Sequence, residues 1–291
     1  MSRSLKLKFS LLLAFAFAAL VSVRAIYHEL QSDFTPDRRP IAIPADKDLN
    51  GIRVVNLATA GEPPLTAFFR PPANGRIVVL VHGTGADRSQ LLPEARMLGR
   101  HGFGVLSLDW PGNGDSGGTI RWDEPERQAL TRAIDWAAQA PGAELRRVGL
   151  LGFSNGSWIA LQVASGDERV YALALTGAFA DVKDLVVKQG GRFGALSSGF
   201  ALLTARWRGM RYWERRSEDL IAKISPRPVL LVAGTADSVV PPSMTERLYR
   251  SAREPKSLWL VPGAGHGQYA AVAPAEYERR LVQLFSTGAG N

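Results

Sequence analysis

Cysteine is absent from the sequence, which excludes disulfides, thiolate metal sites, a cysteine nucleophile and a lipobox lipid anchor. The absence does not choose a compartment, because a cysteine-free chain is equally comfortable on either side of a reducing boundary. Internal repeats are missing, and so is any low-complexity tract outside the first 25 residues. With 46% hydrophobic and 21% charged residues, the composition is neither that of a disordered chain nor that of a multi-span membrane protein. Histidine is scarce: there are four, so any chemistry that needs an imidazole has few places to sit.

What is present begins with an excess of positive charge, +8 over 291 residues. Arg3, Lys6, Lys8 and Arg24 belong to an N-terminal leader that contains no acid, and without them +4 remains. An excess that small, spread along the chain, calls for no polyanion, so no nucleic-acid partner is expected. Within the leader, Phe9 to Val23 is an apolar run of fifteen residues. As a helix it would reach about 22 Å, short of a hydrocarbon core of about 30 Å. A signal-peptide core fits better, with Val23-Arg24-Ala25 as a small-residue cleavage site, and an uncleaved anchor is the alternative. The chain is therefore expected to be exported, as a periplasmic or secreted protein or one attached to a membrane through residues 9–23.

The remaining length suits one large α/β domain. The expected organisation is a leader over 1–25, a polar spacer over 26–50 broken by Pro36, Pro40 and Pro44, and a domain over 51–287. Strands are expected at 52–57, 65–70 and 77–81, the first two antiparallel, and then at 105–108, 148–151, 172–175, 229–232 and 258–261. Helices at 91–101, 123–140, 155–164, 244–252 and 274–285 alternate with the later strands, the pattern of a mostly parallel sheet covered on both faces. Asp123 and Glu126 have the spacing of a capping box. Between Thr176 and Val229 about fifty residues break the rhythm, and the part over 179–224 reads as a helical lid insertion.

The chemistry centres on Val148-Gly149-Leu150-Leu151-Gly152-Phe153-Ser154-Asn155-Gly156. An apolar strand runs into Gly-x-Ser-x-Gly and a helix follows, which lifts Ser154 onto a sharp turn. A serine hydroxyl needs a base, and His266, in the glycine-rich loop Pro262-Gly263-Ala264-Gly265-His266-Gly267, has the position and freedom to reach it. His28 lies in the spacer and His101 ends a helix. The acid that would hold the imidazole is Asp237, past the strand at 229–232; an Asx-turn residue is its other reading, and Asp109 and Asp115 are rivals that precede the serine. A tetrahedral oxyanion needs two backbone donors, expected from Asn155 and from Thr84 in His82-Gly83-Thr84-Gly85, a loop that His82 braces. No metal or organic cofactor is called for.

Residues 65 to 285 resemble the α/β-hydrolase superfamily, in its serine-esterase and serine-aminopeptidase-like branches. The resemblance rests on His82-Gly83-Thr84-Gly85, Asp109 to Ser116 (D-x-x-G-x-G-x-S), the Ser154 turn, Gly234 to Pro241 (G-x-x-D-x-x-V-P) and Gly263 to His266 (G-x-G-H). It implies the α/β-hydrolase fold with Ser154, Asp237 and His266 as the triad, acting on a small-molecule ester or acyl substrate through an acyl-enzyme. Acyl transfer and peptide or amide cleavage use the same triad, and a non-catalytic binding protein on this scaffold is a further alternative. The segment Arg206-Trp207-Arg208-Gly209-Met210-Arg211-Tyr212-Trp213-Glu214-Arg215-Arg216 interleaves cations with aromatics. It is read either as a dock for an anionic headgroup or acidic substrate, or, preferably, as lid whose aromatics pack on the domain while its arginines face water.

Overall fold

A computed structural model describes residues 41–57, 59–144, 147–190, 195–207, 209–211 and 214–287, together with isolated positions between 8 and 24. The expected leader and the spacer up to residue 40 lie essentially outside these residues, as do His28, Arg208, Tyr212 and Trp213. Among the described residues no helix is long and apolar enough to cross a membrane.

Eight strands form one sheet: β1 (Arg53–Asn56), β2 (Thr66–Arg70), β3 (Ile77–Val81), β4 (Gly104–Leu108), β5 (Val148–Phe153), β6 (Val170–Thr176), β7 (Val229–Gly234) and β8 (Lys256–Val261). Their order is β1-β2-β4-β3-β5-β6-β7-β8. β1 pairs antiparallel with β2, and β2 with β4; every later pairing is parallel. Strands β3 to β7 are buried along their whole length, which is why they read in the sequence as largely apolar runs.

The helices are α1 (Leu92–Arg100), α2 (Glu124–Ala138), α3 (Asn155–Ala164), α4 (Val182–Gly190), α5 (Ala195–Trp207), α6 (Ser217–Ile221), α7 (Pro242–Ser251), α8 (Tyr269–Val272) and α9 (Pro274–Thr287). The pleat divides the core in two. Ile77, Val79 and Val81 pack with α2, α3 and α7 on one face, whereas Val78 and Leu80 pack with α1 and α9 on the other. At the start of α2 the Glu126 carboxylate accepts from the Asp123 amide at 2.8 Å.

Residues 41–50, taken in the sequence for spacer, are packed against this body. Leu49 is buried and Ile41, Ile43 and Ile52 lie on the second core. Asp46 pairs with Arg96 at 2.5 Å and Asp48 with Arg100 at 2.8 Å. The prolines signalled an irregular path, and the alternating isoleucines between them are what hold that path down.

Candidate active site

Ser154 sits between β5 and α3 with φ 54° and ψ −122°, a left-handed backbone that a serine adopts only when its surroundings impose it. The surroundings are tight. A Cβ on Gly152 would fall 2.6 Å from the Gly156 carbonyl oxygen, and one on Gly156 would fall 2.5 Å from that of His82. Both flanking glycines are therefore required by close backbone approach. The turn is tied to β6 by the Ser154 amide, which donates to the Thr176 carbonyl at 2.9 Å, and by Ser157 Oγ, which donates to Gly152 and Thr176.

Ser154, His266 and Asp237 leave the carboxyl ends of β5, β8 and β7 and meet. Ser154 Oγ lies 3.1 Å from His266 Nε2, and His266 Nδ1 lies 2.7 Å from Asp237 Oδ2. The Asp237 side chain is fully buried. Its Oδ1 accepts from the amides of Val239 and Val240 at 2.9 and 2.8 Å, so the Asx-turn reading and the imidazole-partner reading are satisfied by different oxygens of one carboxylate. The rivals are engaged elsewhere: Asp109 and Asp115 both pair with the buried Arg88. His101 pairs with Glu278 at the surface.

Beside Ser154 runs the loop 82–85. Burial pushes the His82 imidazole down to about 4, so it is neutral, and both its nitrogens are used: Nδ1 donates to the Gly83 carbonyl at 2.8 Å and Nε2 accepts from the Trp110 amide at 3.2 Å. The Gly83 amide donates to Gln90 Oε1 at 2.8 Å. Asn155 Nδ2 donates to Thr84 Oγ1, which ties that loop to the serine turn. Gly85 takes φ 68°, reversing the chain after Thr84. Among the described residues, no group of three or more metal-binding side chains is gathered to hold an ion.

Three contributors were not singled out from sequence. Gly177, after β6, has φ 59°, and a Cβ there would fall 2.9 Å from His266 Cε1. Tyr269 places its hydroxyl at the same point, 3.2 Å from that Cβ, and the charge of Asp237, after burial, raises its pKa. Gln90 anchors the 82–85 loop across seven residues. Only the glycine at a strand end was a readable signal; the other two are effects of folding.

Comparison with known proteins bears on the family and the fold. Residues 69–205 match the model of the X-Pro dipeptidyl-peptidase (S15) family, and residues 204–288 that of TAP-like proteins. YfhR of Salmonella typhi, an uncharacterized protein, is 32% identical over 242 residues, spanning 76% of this chain and 75% of its own. The Pyrococcus furiosus esterase Pf2001 superposes with a TM-score of 0.70 at 20% identity, over 87% of this chain and 97% of that one. The chain belongs to the α/β-hydrolase superfamily. A further structural neighbour, a membrane phospholipase A described as a bacterial virulence factor, aligns over 100% of both chains with a TM-score of 0.60 and 20% identity. At such identities these structures speak for the fold. As an α/β-hydrolase the chain is a hydrolytic enzyme by kinship, and its site lies at the sheet edge where open α/β sheets gather ligand-binding loops.

Proposed function

We propose that the chain is a serine hydrolase that cleaves a carboxylic ester through an acyl-enzyme on Ser154. The observation that carries the reading is the unbroken chain of contacts from Asp237 through His266 to Ser154, drawn from three separate loops. With Nδ1–H donated to a buried carboxylate, the lone pair of His266 Nε2 faces the serine hydroxyl. In the proposed reaction Ser154 Oγ attacks the ester carbonyl while its proton passes to Nε2. The imidazolium, stabilised by Asp237, then protonates the departing alkoxide. Water, deprotonated by the same nitrogen, releases the acid and restores the serine. The amides of Thr84 and Asn155 are assigned to the developing oxyanion, because the Gly83 amide is already taken by Gln90 and the Asn155 side chain holds Thr84 in register.

Two structural neighbours named as an esterase and a membrane phospholipase A favour an ester. The match of residues 69–205 to the X-Pro dipeptidyl-peptidase family favours a second reading, cleavage of a peptide bond by the same three residues. A fluorophosphonate probe separates mechanism from substrate: it is expected to label the wild type and to fail on Ser154→Ala, and labelling that survived would remove the nucleophile. A panel of acyl-chain esters, a lysophospholipid and an X-Pro amide then chooses between the readings. Export or membrane attachment through residues 1–25 is part of the same proposal. It rests on the leader's basic and apolar pattern, and a soluble cytosolic pool retaining Met1 would sink it.

A further inference from the structure

The basic aromatic segment keeps Arg206, Arg211 and Arg216 toward water, as in the reading preferred for it, and departs from that reading at Arg215 and Trp207. Arg215 faces inward, its guanidinium on Asp123 at 3.2 Å and its carbonyl accepting from Trp158 Nε1 at 3.4 Å. Trp207 faces outward and is 78% exposed, with Leu203, one helical turn earlier on the same face of α5, 64% exposed. The insertion is pinned at its base. Arg216 pairs with Asp181 and Glu218, and Arg247 with Asp184 and Glu218. From Lys183 to Glu214 the sequence holds six cations and two anions, Asp184, which Arg247 engages, and Glu214, which stands 3.7 Å from Arg211. Lys183, Lys188, Arg206 and Arg211 are all exposed.

An indole and a leucine held out on a helix face, within a segment of strongly one-signed charge, match the boundary between lipid headgroups and acyl chains. A second copy of the chain is a poor occupant, because a two-fold contact would set these exposed cations against the same cations of the other copy. We propose that the α4–α5 pair docks on an anionic lipid surface, with Leu203 and Trp207 entering the boundary and the surrounding lysines and arginines drawn to lipid phosphate. Lys188 Nζ donates to the carbonyl of Ser238, next to Asp237, so the docked helices adjoin the loop that carries the acid. The proposal does not rest on the ester reading, since Ser154→Ala leaves every group it uses in place.

The leader contains no tryptophan, so indole fluorescence of the full chain reports the domain and not residues 1–25. The probe is a vesicle of phosphatidylcholine and phosphatidylglycerol whose acyl chains carry bromine, a contact quencher. Quenching is expected for the wild type and for Ser154→Ala, and to weaken as salt screens the headgroups. Trp207→Phe should lose most of it. Leu203→Glu, which keeps the indole but sets a negative charge beside it, should lower it several-fold, with fluorophosphonate labelling of both variants unchanged. Quenching equal in wild type and Trp207→Phe, or equal on pure phosphatidylcholine, would overturn the proposal. So would sedimentation showing a dimer that Trp207→Phe dissociates while the vesicles quench nothing, which assigns the face to a second copy.

Discussion

Asp237 divides its two oxygens between the backbone of its own loop and the imidazole of His266, and this division governs what a substitution there does. Asp237→Asn keeps the shape and offers an amide where the imidazole needs an acceptor. If its NH2 faces His266, Nδ1 must become the acceptor and Nε2 then carries the proton toward Ser154. Ester turnover is expected to fall about 10⁴-fold with little change in melting temperature. An unchanged rate would move the acid elsewhere. Glu94 is a residue of a different kind. It lies in the first turn of α1, buried, with Tyr277 Oη donating to Oε1 at 3.1 Å and no partner within the described structure for Oε2. Burial raises its carboxyl from 4.5 to about 7. Between those values the folded chain holds a proton that the unfolded chain has released, so this group's contribution to stability is lost as pH rises through the window. The loss is on the order of 3 kcal/mol when complete. Glu94→Gln cannot ionise and removes the effect. Urea unfolding of both proteins at pH 5 and pH 8 should show the wild type losing stability relative to the variant, and parallel behaviour would contradict the assignment.

Among the elements, the insertion between β6 and β7 is the one whose attachment invites a test. Asp123, preceding α2, accepts from the Arg211 amide at 3.1 Å and from Arg215 Nη1 at 3.2 Å, and stands 3.5 Å from Arg127 Nε. Burial, followed by the charge of Arg215, lowers the Arg127 pKa, so this cation depends on the acid between them. Asp123→Ala leaves two guanidinium groups facing one another. The expected cost is about 1–3 kcal/mol. Trypsin should cut earlier among Arg206, Arg208, Arg211, Arg215 and Arg216 while cleavage elsewhere keeps its wild-type rate. The same insertion marks where the sequence stopped being legible. Strands β3 and β5 to β7 announce themselves as Ile77-Val78-Val79-Leu80-Val81 and its counterparts, because both faces are covered and no polar residue interrupts. Ser154 and Asp237 were readable because each follows such a strand, and His266 because it stands in a glycine-rich loop after the partly buried β8. Which side of α5 meets the domain was not readable. Trp207 and Arg215 differ in burial because Asp123 waits 92 positions from Arg215 in sequence, and neither composition nor periodicity carries that distance.

For the whole molecule, the question is where the folded body begins. The domain was expected from Gly51, yet the second face of the sheet is closed by chain before that point. Leu49 is 2% exposed, Ile41 and Ile43 cover the same core, and the Arg70 guanidinium donates to the Asp48 carbonyl at 2.8 Å. These contacts join α1, β2 and α9, since Arg100 bridges Asp48 and Glu278. Burial of one leucine accounts for about 2–3 kcal/mol, and the exposed ion pairs add at most about 1 kcal/mol each. A chain starting at residue 41 keeps every one of these contacts. One starting at residue 51 should lose several kcal/mol, a sizeable part of a typical stability of about 5–15 kcal/mol, and bare an apolar strip under α1. Because Gln90, just before α1, holds the Gly83 amide of the 82–85 loop, loosening there should also slow fluorophosphonate labelling of Ser154. Equal melting temperatures and labelling rates for the two truncated chains would show that residues 41–50 rest on the domain without supporting it.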